Sequence, residues 1–503
     1  MMKTENGAVR RQLSASVIGL AILVAAGLMT ASAAGVFAAA RQRDPGADRS
    51  DSPQAPRTIV TANPALEPFT KLATLGGPAP GGGTFAAGID FEPYGLNSTG
   101  KAAFAADMST GGEGVFLGRK GQLSQITRAG LAAPGGGTFG GFGVFGNLGV
   151  NDAGDAAFAF GLEPFSFPIG AGGGVYRYTG ASGALSAVVV PGMTPAPTGG
   201  TFVGAAFRTV LNNMGEIAFA GIVETGAGIA DPLGMGIFKA GVHGEITNVA
   251  SPGDPTPGGG VFDFAQNPWI NDPGDIAFGA HVAGEECIAF APQNIVIFCG
   301  ESVYVRSGAT GAISSIAHQG APAPGGGVYR LAFGPVINNR GEIVFIGDLT
   351  ESPGVGDALA VFLFTGGQTI RIAAPGDPMP GGGTLVRAAF SPSNYFVNNR
   401  GDVVFNATLD NDANGDGIPD TGLYLWAGGA LRLIARSGTV APGIGTIAHL
   451  QPPVVVGDGY PHGGAILNDR GQVLFQATLD DGIGVLLMAN APPLRRPSVA
   501  VNP

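Results

Sequence analysis

The densest run of metal-ligating side chains is Asp410-Asn411-Asp412-Ala413-Asn414-Gly415-Asp416-Gly417-Ile418-Pro419-Asp420. Oxygen-bearing side chains stand at positions 1, 3, 5, 7 and 11 of this run, with glycine at position 6. Calcium takes about six to eight hard oxygens around a tight loop, and glycine at the sixth place permits the sharp bend. The spacing predicts one calcium ion held by Asp410, Asp412, Asn414 and Asp416. Asp420 would stand in for the usual bidentate glutamate, because Thr421 occupies its place. The alternative is an Asx-rich turn without metal.

Two cysteines, Cys287 and Cys299, are the only ones in the chain. Outside the cytoplasm such a pair within one loop is expected to form a disulfide that stiffens the loop. Five histidines, His243, His281, His318, His449 and His462, are scattered without metal-ligand spacing. Adjacent carboxylates occur at Glu285-Glu286 and Asp480-Asp481. Neighbours in sequence rarely converge on one bond, so a glycosidase pair would need partners from elsewhere in the fold. No nucleophile constellation stands out, and no catalytic residue is assigned.

The elements that position these groups follow from an internal repeat. Asparagine recurs at Asn97, Asn151, Asn212, Asn271, Asn338, Asn398 and Asn468. Glycine follows three places later in every copy, from Gly100 to Gly471, and phenylalanine seven places later, from Phe104 to Phe475. Asparagine opens a turn by bonding its own backbone, and glycine supplies the positive φ that closes it. Each copy therefore predicts a β-hairpin, and turn chemistry accounts for the asparagines without a ligand. A Gly-Gly-Gly-Thr-Phe-like segment precedes each hairpin, as in Gly81 to Phe85, and two short strands follow it. Glycine triplets with no following helix are weak phosphate cradles.

Each unit reads as four antiparallel strands, A to D, and seven units read as an all-β, seven-bladed β-propeller. Phe69–Ala73 reads as a D strand with no A, B or C strand before it, and Gly484–Met488 as a C strand with no D strand after it. The N-terminal strand is thus expected to complete the last blade and remove its open edge. In such a meander the B–C and D–A loops share one face. The B–C connections vary most in length, which points to that face for binding.

Of 503 residues, 88 are glycine and 38 proline, yet 45% are hydrophobic and only 13% charged, so most of the chain should fold. The net charge of −11 repels phosphate backbones, and nucleic acid is excluded as a partner. Lys3, Arg10 and Arg11 precede the apolar stretch Val17 to Met29, and small residues follow it. Residues 1–40 read as a signal peptide, or, uncleaved, as the one segment that would meet a membrane. Residues 41–66 read as a flexible linker, 67–490 as the propeller and 491–503 as a disordered tail.

The run Asn151-Asp152-Ala153-Gly154-Asp155-Ala156-Ala157-Phe158 resembles the bacterial exported proteins built from NxxGxxAF tandem repeats. The resemblance covers residues 69 to 488 and implies a β-propeller-like protein tied to the cell surface by a C-terminal anchor. Ala489 to Pro503 holds no sorting motif, and the resemblance implies no activity. The expected function is a secreted or surface-exposed, non-enzymatic propeller binding glycan or protein through its B–C/D–A face, with one calcium-stabilised loop. The alternative is an extracellular polysaccharide hydrolase or lyase on the same scaffold.

Overall fold

The structure, a computed structural model, describes residues 58–59, 69–86, 91–144, 148–163, 173–225, 228–229, 235–285, 287–290, 295–299, 301–349, 359–388, 395–450 and 464–490. The expected signal peptide and tail lie outside them. The described chain is all-β, a propeller-like arrangement of small antiparallel sheets with no helix among the described residues. No helix there is long and apolar enough to cross a membrane.

The fifth repeat shows the unit plainly: Tyr329–Ile337, Ile343–Leu349, Leu359–Thr365 and Gln368–Ala373 pair in sequence order as strands A, B, C and D. Alternation alone would leave one face wet, but Ile343–Leu349 is buried along its whole length. Sheets stacked on both sides explain why the B strands read as unbroken apolar runs.

In the first five units three rings meet in the core. In the first repeat Phe85, Phe104 and Phe116 meet, with Phe104 and Phe116 stacked at 5.5 Å and Phe85 set edge-on to Phe116 at 5.1 Å. Phe202, Phe219 and Phe238 repeat this in the third, and Tyr329, Phe345 and Phe362 in the fifth. Stacked and edge-to-face pairs are the favoured geometries of aromatic quadrupoles. The glycines before the first ring take left-handed φ values of 86°, 99° and 80° at Gly81, Gly82 and Gly83, which a side chain would resist.

The chain ends meet as the sequence predicts. Thr70–Thr74 pairs antiparallel with Gly484–Asn490, Thr70 opposite Met488, and completes the last sheet. Part of the expected linker is also placed: Thr58–Ile59 lies parallel to Ala430–Arg436, on the outer edge of the sixth repeat.

Candidate functional site

The two faces differ in how their polar groups are used. On the A–B turn face, each repeat asparagine accepts the backbone N–H of the residue four places on, at 2.7 to 3.0 Å. Its Nδ2 then donates to the backbone carbonyl of the next repeat's asparagine, at 2.7 to 3.5 Å. The seventh link runs from Asn468 back to Asn97, so the ring closes. Turn chemistry alone would accept aspartate here, but only asparagine both accepts and donates. The sequence reading therefore found the turn and missed the ring.

A second tier lies one residue on. Asp152, Asn213, Asp272, Asn339, Asn399 and Asp469 each accept the N–H of the preceding repeat's equivalent residue, at 2.7 to 2.9 Å. This tier stops at Ser98: among the described residues no such bond joins its side chain to the amide of Asp469. The turn face is thus consumed by bonds within the molecule.

The opposite face carries the B–C and D–A loops and most of the singular chemistry. Among the five expected calcium ligands, Asp410 accepts the N–H of Thr384 at 2.7 Å. Asp412 accepts three N–H groups, from Gly415, Asp416 and Gly417. Asn414 donates to Asp416, which also accepts the N–H of Ile418 at 2.8 Å and lies 3.0 Å from His449. Asp420 is buried and held by Arg436 at 2.6 Å and Asn411 at 2.8 Å. Among the described residues no three His, Cys, Asp or Glu side chains stand close enough to share a metal ion.

Cys287 and Cys299 fall in the strands Cys287–Phe290 and Ile295–Cys299, where the backbone pairs them directly opposite one another. Facing residues of antiparallel strands have Cα atoms about 4.5–5.5 Å apart, which suits a disulfide. His318 bridges two loops, with Nε2 2.9 Å from Glu285 and Nδ1 2.7 Å from the carbonyl of Gln319. His281 is buried, stacked on Phe264 and 3.2 Å from Asp263. His243 is exposed in a C–D turn; His462 and Glu286 lie outside the described residues.

Sequence reasoning missed a polar cluster inside the ring of inner strands. Extra residues break the pairing of Thr201–Leu211, Phe262–Ile270 and Tyr329–Ile337 with their partners. Such bulges re-aim side chains. Arg208 sits on the first of them, buried, donating to the Pro335 carbonyl at 2.8 Å and to Tyr395, with Trp269 beneath its guanidinium at 5.3 Å. Tyr395 donates to the Gly334 carbonyl at 2.6 Å. Gln266 donates to Glu301, whose second oxygen is buried without a hydrogen-bond partner. Asn267 holds a left-handed φ of 55° on the same bulge. Burial pushes the Glu301 carboxyl up to about 7 against the pull of Gln266 and Arg208, and brings Arg208 down to about 10. The available sequence trace is the uneven distance from the apolar residue ending each glycine segment to the asparagine, as from Phe202 to Asn212 and Phe262 to Asn271.

The sequence matches the profile of a family of unknown function, DUF7453, over residues 66–297 and 297–485. The chain belongs to DUF7453. No curated protein matches this DUF7453 chain. Similar solved structures include a PL25 ulvan lyase, at 12% identity and a TM-score of 0.43, covering 80% of this chain and 94% of that one. A prolyl endopeptidase gives 12% identity and a TM-score of 0.43, covering 81% of this chain. The DUF7453 chain spans 50% of that endopeptidase. A gluconolactonase from Xanthomonas campestris gives 11% identity and a TM-score of 0.31, covering 76% of this chain and 97% of that one.

Proposed function

We propose that this protein is an exported binding propeller of seven blades that holds glycan or protein on its B–C/D–A loop face without turning it over. The observation that carries the reading is the division of labour between faces. The turn face spends its amides and carboxylates on neighbouring repeats, through the seven asparagine links. The loop face differs from repeat to repeat and carries His318–Glu285, His281–Asp263 and His449–Asp416. Surface loops set on a rigid scaffold are where binding groups collect. The closed set of asparagine links supports seven blades, and the basic-apolar N-terminus supports export.

Calcium belongs to the same proposal. Asp410, Asp412, Asn414 and Asp416 are exposed on one loop edge, so an ion could draw them together without disturbing the core. Asp420 would join them only by leaving Arg436.

One observation favours the hydrolase or lyase reading: Glu301 has a carboxyl poised near neutrality beside Arg208 and Tyr395. Acid–base catalysts are tuned to that range, but this group is enclosed by the inner strands. A glycan and protein array, followed by hydrogen exchange with the best binder, separates the readings. We expect retention without product, and protection of the B–C and D–A loops. Product release would establish the alternative, and protection confined to the asparagine turns would reject the loop face.

A further inference from the structure

The seven repeats serve as their own reference, and one cleft collects departures from their common pattern. It lies along the outer strands between the fourth and fifth repeats, reaching from the D–A loop at His318 to the C–D turn at Gln368, and is an open cleft of about 490 Å³. Ser315, His318, Pro322, Pro324, Tyr329 and Gln368 form much of its wall. Where Tyr329 stands, the other repeats have Phe85, Phe139, Phe202, Phe262, Leu385 and Ile447. The added hydroxyl is buried and lacks a hydrogen-bond partner, an arrangement that costs stability unless something else satisfies it. Where His318 stands, the others have Thr74, Arg128, Val190, Ser251, Ala374 and Arg436. Its two ring contacts tie the B–C connection at Glu285 to the D–A loop at Gln319 and so fix one wall.

The charges at the rim are matched within the protein. Glu285 meets His318, and Arg371 donates to the Gly325 carbonyl and lies 3.8 Å from Asp377. Neutral hydrogen-bonding groups remain, on Ser315, Gln368 and Thr369, beside the hydrocarbon of Ile316, Pro322 and Pro324. Pockets of about 300–1,000 Å³ with apolar walls and a few polar groups suit small ligands. A pyranose has an apolar ring face and a rim of hydroxyls, which matches this lining. A uronate would compete with Glu285 for His318.

We propose that this cleft binds a neutral saccharide of one or two residues; the assignment rests on the glycan-binding reading above. The sugar hydroxyls would meet Ser315, Gln368 and Thr369, and one would supply the partner that Tyr329 lacks.

The test is titration calorimetry of the full chain with gluco-, manno- and galactobiosides, and with a glucuronic-acid disaccharide as charged comparison. Tyr329→Phe installs the residue that four other repeats carry, so the fold is kept. Gln368→Ala alters an exposed turn, and Gln122→Ala alters the same turn of the first repeat as a control. We expect a neutral disaccharide to bind, with roughly 3- to 10-fold weaker binding in Tyr329→Phe and in Gln368→Ala. Gln122→Ala should leave it unchanged. Equal binding by all variants would place the sugar elsewhere on the molecule and overturn the cleft while leaving the loop-face reading intact. Binding of only the charged disaccharide would overturn the ligand class. Failure of every disaccharide, together with a silent glycan array, would overturn the cleft and the glycan reading at once.

Discussion

At the scale of single residues, the donor on each repeat asparagine carries more than the turn does. Asn271→Asp preserves the acceptor and the shape but loses the donor to the Asn338 carbonyl, leaving a buried carboxylate facing it. Denaturant unfolding should show a loss of about 1–3 kcal/mol; unchanged stability would mean the ring contributes nothing. Glu301 gives a pH dependence with a definite sign. Its folded pKa, about 7, lies above the usual 4.5, so the folded state binds the proton more tightly than the unfolded state. That stabilisation is complete below the unfolded value and is lost as pH rises through about 7. Glu301→Gln keeps an acceptor for Gln266 but cannot ionise. Between pH about 5 and 8 the wild type should lose on the order of 1–3 kcal/mol relative to Glu301→Gln. Parallel pH profiles for the two proteins would sink this account.

At the scale of elements, two loops carry predictions. Thiol labelling of native, non-reduced protein should find Cys287 and Cys299 blocked, because the backbone sets them opposite each other. Full labelling would show that no bridge forms. Calorimetric titration with calcium should give heat in the wild type and a diminished signal in Asp412→Ala; equal heats, or none at millimolar calcium, would reject the ion. The strands themselves were legible, because the Asn–Gly–Phe spacing fixes hairpin and register together. The loops were less so. Asp420 reads as a ligand by position, and its contact with Arg436, sixteen residues on, was not legible from that spacing. Arg208 was invisible for the same reason: its partners Pro335 and Tyr395 come from other repeats, and spacing within one repeat cannot reveal them.

At the scale of the whole molecule, the second tier of turn bonds is open at one place, between Asp469 and Ser98, which is also where the last repeat meets the first. Ser98→Asn should supply the missing acceptor and raise stability by about 0.5–1.5 kcal/mol in thermal or denaturant unfolding. No gain would show that the seam is already as tight as its neighbours. The pairing of Thr70–Thr74 with Gly484–Asn490 also has a consequence in time. A nascent chain can assemble its early repeats one after another, but Thr70–Thr74 waits for a partner made more than 400 residues later. Until then the last sheet lacks a strand and the first repeat lacks a neighbour, leaving apolar edges open to any other chain nearby. Synthesis speed and crowding therefore bear on how much of this protein reaches its closed form, and a truncation that removes Gly484–Asn490 would leave it permanently in the vulnerable interval.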